Sequence, residues 1–260
     1  MSYETFAIEA VRKAGGMVLA LRQEHFETGI KGGNPRDIVT TVDTAVGSFL
    51  VEEIKKAFPD HGIHSEEGGG VAAASGYQWM IDPIDGSSNF SRGIPHFAIC
   101  LGVVKDGVPE AAAVLNPVTN ELFSFTKGEG ARLNGKPIGV SSVRELSKAQ
   151  ALLSFGSRKP ELWDWAAASY RKSLEHMLKR GTYNSSSLDI CFIAAGRADV
   201  GVYGTLTTLD VAPAFGILYE AGGVACDESG QPVIFSPHSQ KVFMANSPAL
   251  LEDLRRLIEG

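Results

Sequence analysis

The 260-residue sequence has no long basic run: lysine and arginine come in short pairs such as Lys55-Lys56 and Arg255-Arg256, and the formal net charge is −6. A nucleic-acid backbone demands a basic surface, so nucleic-acid binding is not the expected task. A small anionic substrate is not excluded, because metal ions can supply the positive charge. Cysteine is scarce, and Cys100, Cys191 and Cys226 stand apart in apolar contexts with no C-x-x-C spacing. That excludes a disulfide framework and fits reduced core thiols in a cytoplasmic protein. No uninterrupted apolar run approaches the roughly 18 residues of a membrane span. Met1-Ser-Tyr-Glu-Thr-Phe lacks a basic stretch ahead of an apolar one, so neither a membrane segment nor a signal peptide is expected. Repeats and low-complexity tracts are also missing. What is present is 44% hydrophobic and 21% charged residues, the balance of an ordinary globular protein with a large core, in one domain or two closely joined halves.

Phe6, Ala7, Ala10, Val11, Ala14, Val18 and Leu21 recur at helical spacing within 4–25. Residues 29–37 have loop composition. A second helix fits 41–57, capped by Thr41 or Asp43 and closed by Phe58-Pro59-Asp60. Strands read at 61–64, 77–82, 97–105, 109–116 and 120–126, the last three as an antiparallel meander, with a turn-rich segment at 128–135. Beyond about 145 strands and helices alternate: strands at 150–155, 182–186, 199–203, 224–226, 233–235 and 241–245, and helices at 160–179, 187–196, 210–222 and 247–258. That texture predicts an α/β second half behind an α+β first half. Gly222-Gly223 should end the helix that follows Asp210.

Chemistry concentrates in Asp82-Pro83-Ile84-Asp85-Gly86-Ser87-Ser88-Asn89-Phe90. Two carboxylates three residues apart end a β-prone run and meet a Gly-Ser-Ser turn, an arrangement suited to a divalent metal and a phosphate. Further acids stand beside apolar segments at Asp37 and Asp43, Glu66 and Glu67, Asp210 and Glu220. Gathering such acids at one point is costly without cations, and bound Mg²⁺ resolves that conflict.

These motifs resemble the inositol monophosphatase family of Mg²⁺-dependent, lithium-sensitive phosphatases. Residues 82–90 fit D-P-[IL]-D-G-[TS]-x-N-F, Glu66-Glu67 resembles the family's paired acids, and Leu209-Asp210-Val-Ala-Pro-Ala resembles its distal W-D-x-A-A-G element. The resemblance implies an α+β fold, a layered αβαβα sandwich of the inositol monophosphatase and fructose-1,6-bisphosphatase type. Residues 1–145 would form an α+β half carrying most metal ligands, and 146–260 an α/β half carrying Asp210 and the specificity segments, in one compact unit. It implies two Mg²⁺ ions on Glu66, Asp82, Asp85, Asp210 and the Ile84 carbonyl, with a third, weaker ion recruited near Asp43 and the 31–37 loop. Phosphate would rest on Gly86, Ser87 and Ser88. Ser87, paired with Asp43, and Glu66 would orient the attacking water. A homodimer without a membrane partner follows from the same resemblance.

Single residues keep their plainer readings. Asp37 reads as structural, His64 and His96 as core or rim residues, and Glu67 as either solvated or a ligand. Lys31 is either a loop lysine or one that approaches the phosphate.

Departures from the family pattern bear on the substrate. Leu209 replaces a Trp, and Pro213 replaces a small residue in the first turn of a helix, where proline is tolerated. Asn184-Ser185-Ser186-Ser187-Leu188-Asp189 stands where inositol phosphatases read Gly-[ST]-Ala-Ala-Leu-Asn, and Tyr203 where they carry a Glu that binds inositol hydroxyls. Asp85, Asn184, Ser185, Ser186 and Tyr203 are therefore the expected substrate contacts. The expected reaction is hydrolysis of a small polyol or sugar phosphate, inositol-1-phosphate-like, by metal-activated water. Fructose-1,6-bisphosphatase and 3′(2′),5′-bisphosphate nucleotidase activities are the alternatives, and a non-catalytic metal-binding regulator is a third.

Overall fold

Ser2 starts the chain's first element by accepting the amide of Thr5, and the buried stripe Phe6–Ala7–Ala10–Val11–Ala14–Val18 makes α1 (Tyr3–Leu21) amphipathic. The structure is a computed structural model describing residues 1–30, 38–68, 70–71, 75–155 and 159–260. The remaining elements of the first part are β1 (Thr28–Ile30), β2 (Ile38–Thr40), α2 (Thr41–Ala57), β3 (Gly62–Ser65), β4 (Tyr77–Asp85), α3 (Ser87–Ser91), β5 (Ala98–Lys105), β6 (Val108–Asn116), β7 (Glu121–Thr126), β8 (Ala131–Leu133) and β9 (Lys136–Pro137). Then follow β10 (Gln150–Ser154), α4 (Trp163–His176), β11 (Lys179–Gly181), α5 (Ser186–Ala194), β12 (Val200–Thr207), α6 (Ala212–Glu220), β13 (Val224–Asp227), β14 (Ser239–Ala245) and α7 (Pro248–Glu259).

Strands β3 to β9 form one sheet in sequence order, antiparallel except for the parallel pair β3–β4. A second sheet runs β11–β10–β12–β14–β13 and is mixed: β10 is parallel to β11 and β12, while β14 is antiparallel to β12 and β13. Helices α1 and α2 cover the outer face of the first sheet, with Val11, Leu50, Trp79 and Ile81 in their shared core. Helices α5 and α6 fill the space between sheets, joining Cys100, Phe123 and Phe125 of the first to Leu152, Val242 and Met244 of the second. Helix α7 covers the far face through Leu250, Leu254 and Ile258. The order is α, β, α, β, α: the expected layered sandwich. All three cysteines are free and buried, and among the described residues no helix is long and apolar enough to cross a membrane.

Local differences have physical causes. The cap of α2 is Thr40, neither Thr41 nor Asp43; Asp43 instead closes the capping box by accepting the Thr40 amide at 3.0 Å. The strand expected at 182–186 lies earlier, at β11, and the stretch from Thr182 leads into α5 through Asn184 at φ +60°. No strand forms at 233–235 among the described residues; the residue before it, Pro232, makes a single bridge to Cys226 and has no amide to extend it. The turn-rich 128–135 segment contains β8, which extends the first sheet between β7 and the edge strand β9. Gly222 at φ +90° stops α6 as expected. Lys31, Asp37 and the 31–37 loop lie outside the described residues.

Candidate active site

The parallel register of β3 and β4 pairs Ser65 with Ile81, and the Glu66 amide donates to the Ile81 carbonyl at 3.1 Å. Glu66 and Asp82 therefore emerge side by side where the parallel pairing of the two strands ends. Pro83 cannot donate to a ladder, and the β4–β5 register shifts between Asp82 and Asp85 before Asp85 pairs with Ala98. The Ile84 amide turns back to Asp82 Oδ1 at 3.1 Å. A proline bulge thus sets two buried carboxylates and the Ile84 carbonyl at one strand end.

Asp85 reaches across to the other sheet's helix layer. It accepts the Ser185 hydroxyl at 2.6 Å, the Ser187 amide at 2.7 Å and the Ser186 amide at 3.2 Å, serving as a remote cap for α5. Gly86 follows at φ +95°, where an added Cβ would sit 3.1 Å from the Asn184 carbonyl and 3.3 Å from that of His96. Only glycine fits both the conformation and the space. Ser87 opens α3, and its hydroxyl lies 2.7 Å from Asp43 Oδ1 and 2.9 Å from the Ile84 carbonyl. Asp43 is buried and also accepts the Thr40 hydroxyl.

Asp210, two residues ahead of α6, completes the group, with His64 Nε2 at 3.1 Å from its Oδ1. Burial pushes the Asp82 carboxyl well above the usual range, and repulsion from Glu66, Asp85 and Asp210 adds to it. Burial also raises Asp85, to about 6, against the opposing pull of Ser185 and Ser187. Among the described residues no three His, Cys, Asp or Glu side chains form a ready-made metal cage. The residues nevertheless fit Mg²⁺: the donors at this point are carboxylate and carbonyl oxygens, and their mutual repulsion is what a hard cation relieves.

The acids open on a cavity of about 470 Å³, within the range of small-molecule sites. Glu66, Asp82, Ile84, Asp85, Gly86, Ser87, Ser88 and Asp210 line it, together with Asn184, Ser186 and Tyr203. Asp43 stands behind Ser87. Ser185 is different: it is fully buried, does not line the cavity, and spends its hydroxyl on Asp85. Tyr203 is only 2% exposed, and its hydroxyl donates to buried Asp189 at 2.6 Å. His96 Nε2 lies 3.7 Å from Asp189 Oδ1 on the far side of that carboxylate.

Sequence reasoning gave His64 as a core or rim residue, which its half-buried place on β3 outside the cavity lining bears out, but did not foresee its contact with Asp210. It also missed further lining residues of the cavity: Ser154, Thr205, Thr207 and Ser239 from β10, β12 and β14, and Lys159 just before the 3-10 turn Pro160–Leu162. No local motif marks those residues; the second sheet's topology brings the four on its strands together.

Known proteins share this architecture over its full length. "Nus factor SuhB" of Pasteurella multocida is 32% identical over 257 residues, covering 97% of this chain and 94% of its own. The extragenic suppressor protein suhB of Bartonella henselae superposes with a TM-score of 0.91 at 26% identity, covering 98% and 97% of the two chains. An inositol monophosphatase from Anabaena superposes with a TM-score of 0.86 at 26% identity, over 99% and 95%. The model of the inositol monophosphatase family matches residues 2–259, and the chain belongs to that family.

Proposed function

We propose that the chain is a Mg²⁺-dependent phosphomonoesterase acting on a small polyol or sugar phosphate. The observation that carries this reading is the convergence of Glu66, Asp82, Asp85 and Asp210 beside the Gly86–Ser88 turn on one cavity. Mg²⁺ held by those acids and the Ile84 carbonyl would supply positive charge to the phosphate oxygens and acidify the attacking water. The amides of Gly86, Ser87 and Ser88, unused by the first turn of α3, would hold phosphate oxygens. Ser87 gives its proton to Asp43, which leaves its oxygen lone pairs to accept from the water; Glu66 accepts the water's other hydrogen. Ser87 therefore orients and does not attack. Asn184 and Ser186 would meet the alcohol portion, and Ser185 acts through Asp85 as a positioning residue.

Phosphate release from inositol-1-phosphate and a panel of sugar and nucleotide phosphates, with Mg²⁺ and with EDTA, tests the proposal. Release that EDTA abolishes, that Li⁺ inhibits and that Asp82→Asn removes is the expected result. Metal-independent release, or an Asp82→Asn protein with full turnover, would overturn it. A homodimer in the cytoplasm belongs to the same reading, and sedimentation velocity checks the stoichiometry.

The relatives' name, Nus factor, supports a second reading in which the fold serves a regulatory role. That reading reopens the question of macromolecular partners, nucleic acid included, against which the lack of a basic run and the net charge of −6 had argued. A gel-shift or pull-down with the Asp82→Asn protein separates the two: a partner retained without turnover favours regulation.

A further inference from the structure

Every carboxylate among the described lining residues of the cavity belongs to the metal-site group: Glu66, Asp82, Asp85 and Asp210. A further carboxylate stands behind the lining. Asp189 on α5 is 1% exposed, and its Oδ2 accepts at 2.6 Å the hydroxyl of Tyr203, which lines the cavity from β12. Its Oδ1 has no hydrogen-bond partner among the described residues, and neither has His96 Nε2, which lies 3.7 Å from it. A buried carboxylate is costly unless donors meet it, so Asp189 depends on the one donor that reaches it, and the Tyr203 proton is held inside the molecule.

Asp189 and Tyr203 are also positions where the chain departs from the family pattern in charge, with Asp in place of Asn and Tyr in place of Glu. Together the two departures keep one carboxylate in the pair and move it from the cavity lining to the interior. Either change without the other would leave the pair with two facing carboxylates or with none, and two buried at close range repel. The contact between them makes the departures a single unit.

We propose that Asp189 is a positioning residue acting through Tyr203, and that the pair sets specificity by leaving the cavity no carboxylate free to accept hydroxyls of the alcohol portion. The inference rests on the phosphomonoesterase reading and narrows it: the favoured substrates are small phosphate esters whose alcohol carries few free hydroxyls, ahead of the hydroxyl-rich inositol phosphates. Asp189 touches no reacting atom, and Tyr203 shapes the place of the leaving group without taking part in bond cleavage.

The test uses the full chain with Mg²⁺ and two matched probes, inositol-1-phosphate and cyclohexyl phosphate, which share a ring and differ in its hydroxyls. In the unsubstituted protein kcat/KM for cyclohexyl phosphate should equal or exceed that for inositol-1-phosphate, and a preference for the inositol ester overturns the proposal. Tyr203→Glu alone sets two carboxylates against each other and should lower the melting temperature by several degrees. Adding Asp189→Asn should recover most of that loss and raise the ratio of inositol to cyclohexyl turnover roughly tenfold, the scale of one hydrogen bond to a charged group. Melting-temperature changes that simply add, or a folded double variant with an unmoved ratio, overturn it. If the double variant does not fold, Tyr203→Phe takes its place, because it keeps the ring and strips Asp189 of its donor. It should melt lower, with Asp189→Asn regaining part of the loss, and a Tyr203→Phe protein as stable as the unsubstituted one overturns the proposal.

Release of phosphate from no ester at all would fail the phosphatase reading instead. The melting temperatures and calorimetric titration of the two esters with Mg²⁺ then decide this one. Tighter binding of the inositol ester by the double variant than by the unsubstituted protein upholds it, and equal or undetectable binding by both overturns it.

Discussion

The Ser87 hydroxyl has one proton and two neighbouring acceptors, Asp43 Oδ1 at 2.7 Å and the Ile84 carbonyl at 2.9 Å. The carboxylate is the stronger acceptor, and Asp43 is fixed in place by Thr40 and the α2 capping box. A hydroxyl whose proton is so committed turns its lone pairs toward the cavity, as an orienting group requires. Ser87→Ala should therefore lower kcat by roughly 10- to 100-fold with a much smaller effect on KM, the scale of one charge-assisted hydrogen bond made in the transition state. Asp43→Asn should fall in the same range and combine less than additively with it, which a double-mutant cycle measures. Full additivity would show that the two act separately. Asp82 and Asp85 were legible in the sequence because one nonapeptide carries them next to the glycine that their turn requires. His64 was not, because its value lies in a contact with Asp210, 146 positions away.

At the scale of elements, the middle helix layer fits between the sheets only because small residues face large ones. Within α6, an added Cβ at Gly216 would lie 2.2 Å from the Phe125 ring and 3.0 Å from Pro109, and Gly102 on β5 leaves the space that Pro213 fills. Gly216→Ala should destabilise the fold by roughly 1–3 kcal/mol, the cost of overpacking a closed core. Denaturant unfolding checks this, and an unchanged midpoint would mean that the helix can slide away from β7. The sequence identified Pro213 as tolerable in a first helical turn, which it is, but periodicity could not show that Gly102 receives it. The long amphipathic helices and the β5–β7 meander were readable from spacing. Short pieces such as β11 and β8 were not, since three-residue strands owe their existence to a neighbouring edge rather than to a pattern of their own.

The whole molecule keeps several acids close together, and its stability should record that. Asp85 holds its proton up to about 6 when folded, whereas an unfolded Asp releases it near ~3.9. Between those values the folded form binds more protons, so this contribution to stability falls as pH rises from about 4 to 6. Asp82, also raised, loses stability in the same direction. Mg²⁺ binds the ionised acids and should reverse the loss. In calorimetry the rise in melting temperature on adding Mg²⁺ should be small near about pH 5 and grow toward about pH 8. A rise independent of pH would mean that the ion binds away from these acids. The layer order followed from the family resemblance, and the alternation of elements was compatible with it.

The seat of α5 on Asp85 makes that carboxylate a gauge that can be read at a distance. Its oxygens accept the amides of Ser186 and Ser187, so any change in its charge polarises two N–H bonds on a helix of the other half. Protonation and cation binding both withdraw electron density from those oxygens, and both should move the two amide resonances the same way. The occupancy of the site is thus written into the magnetic environment of two serines, where a spectrum can follow it without any substrate being turned over.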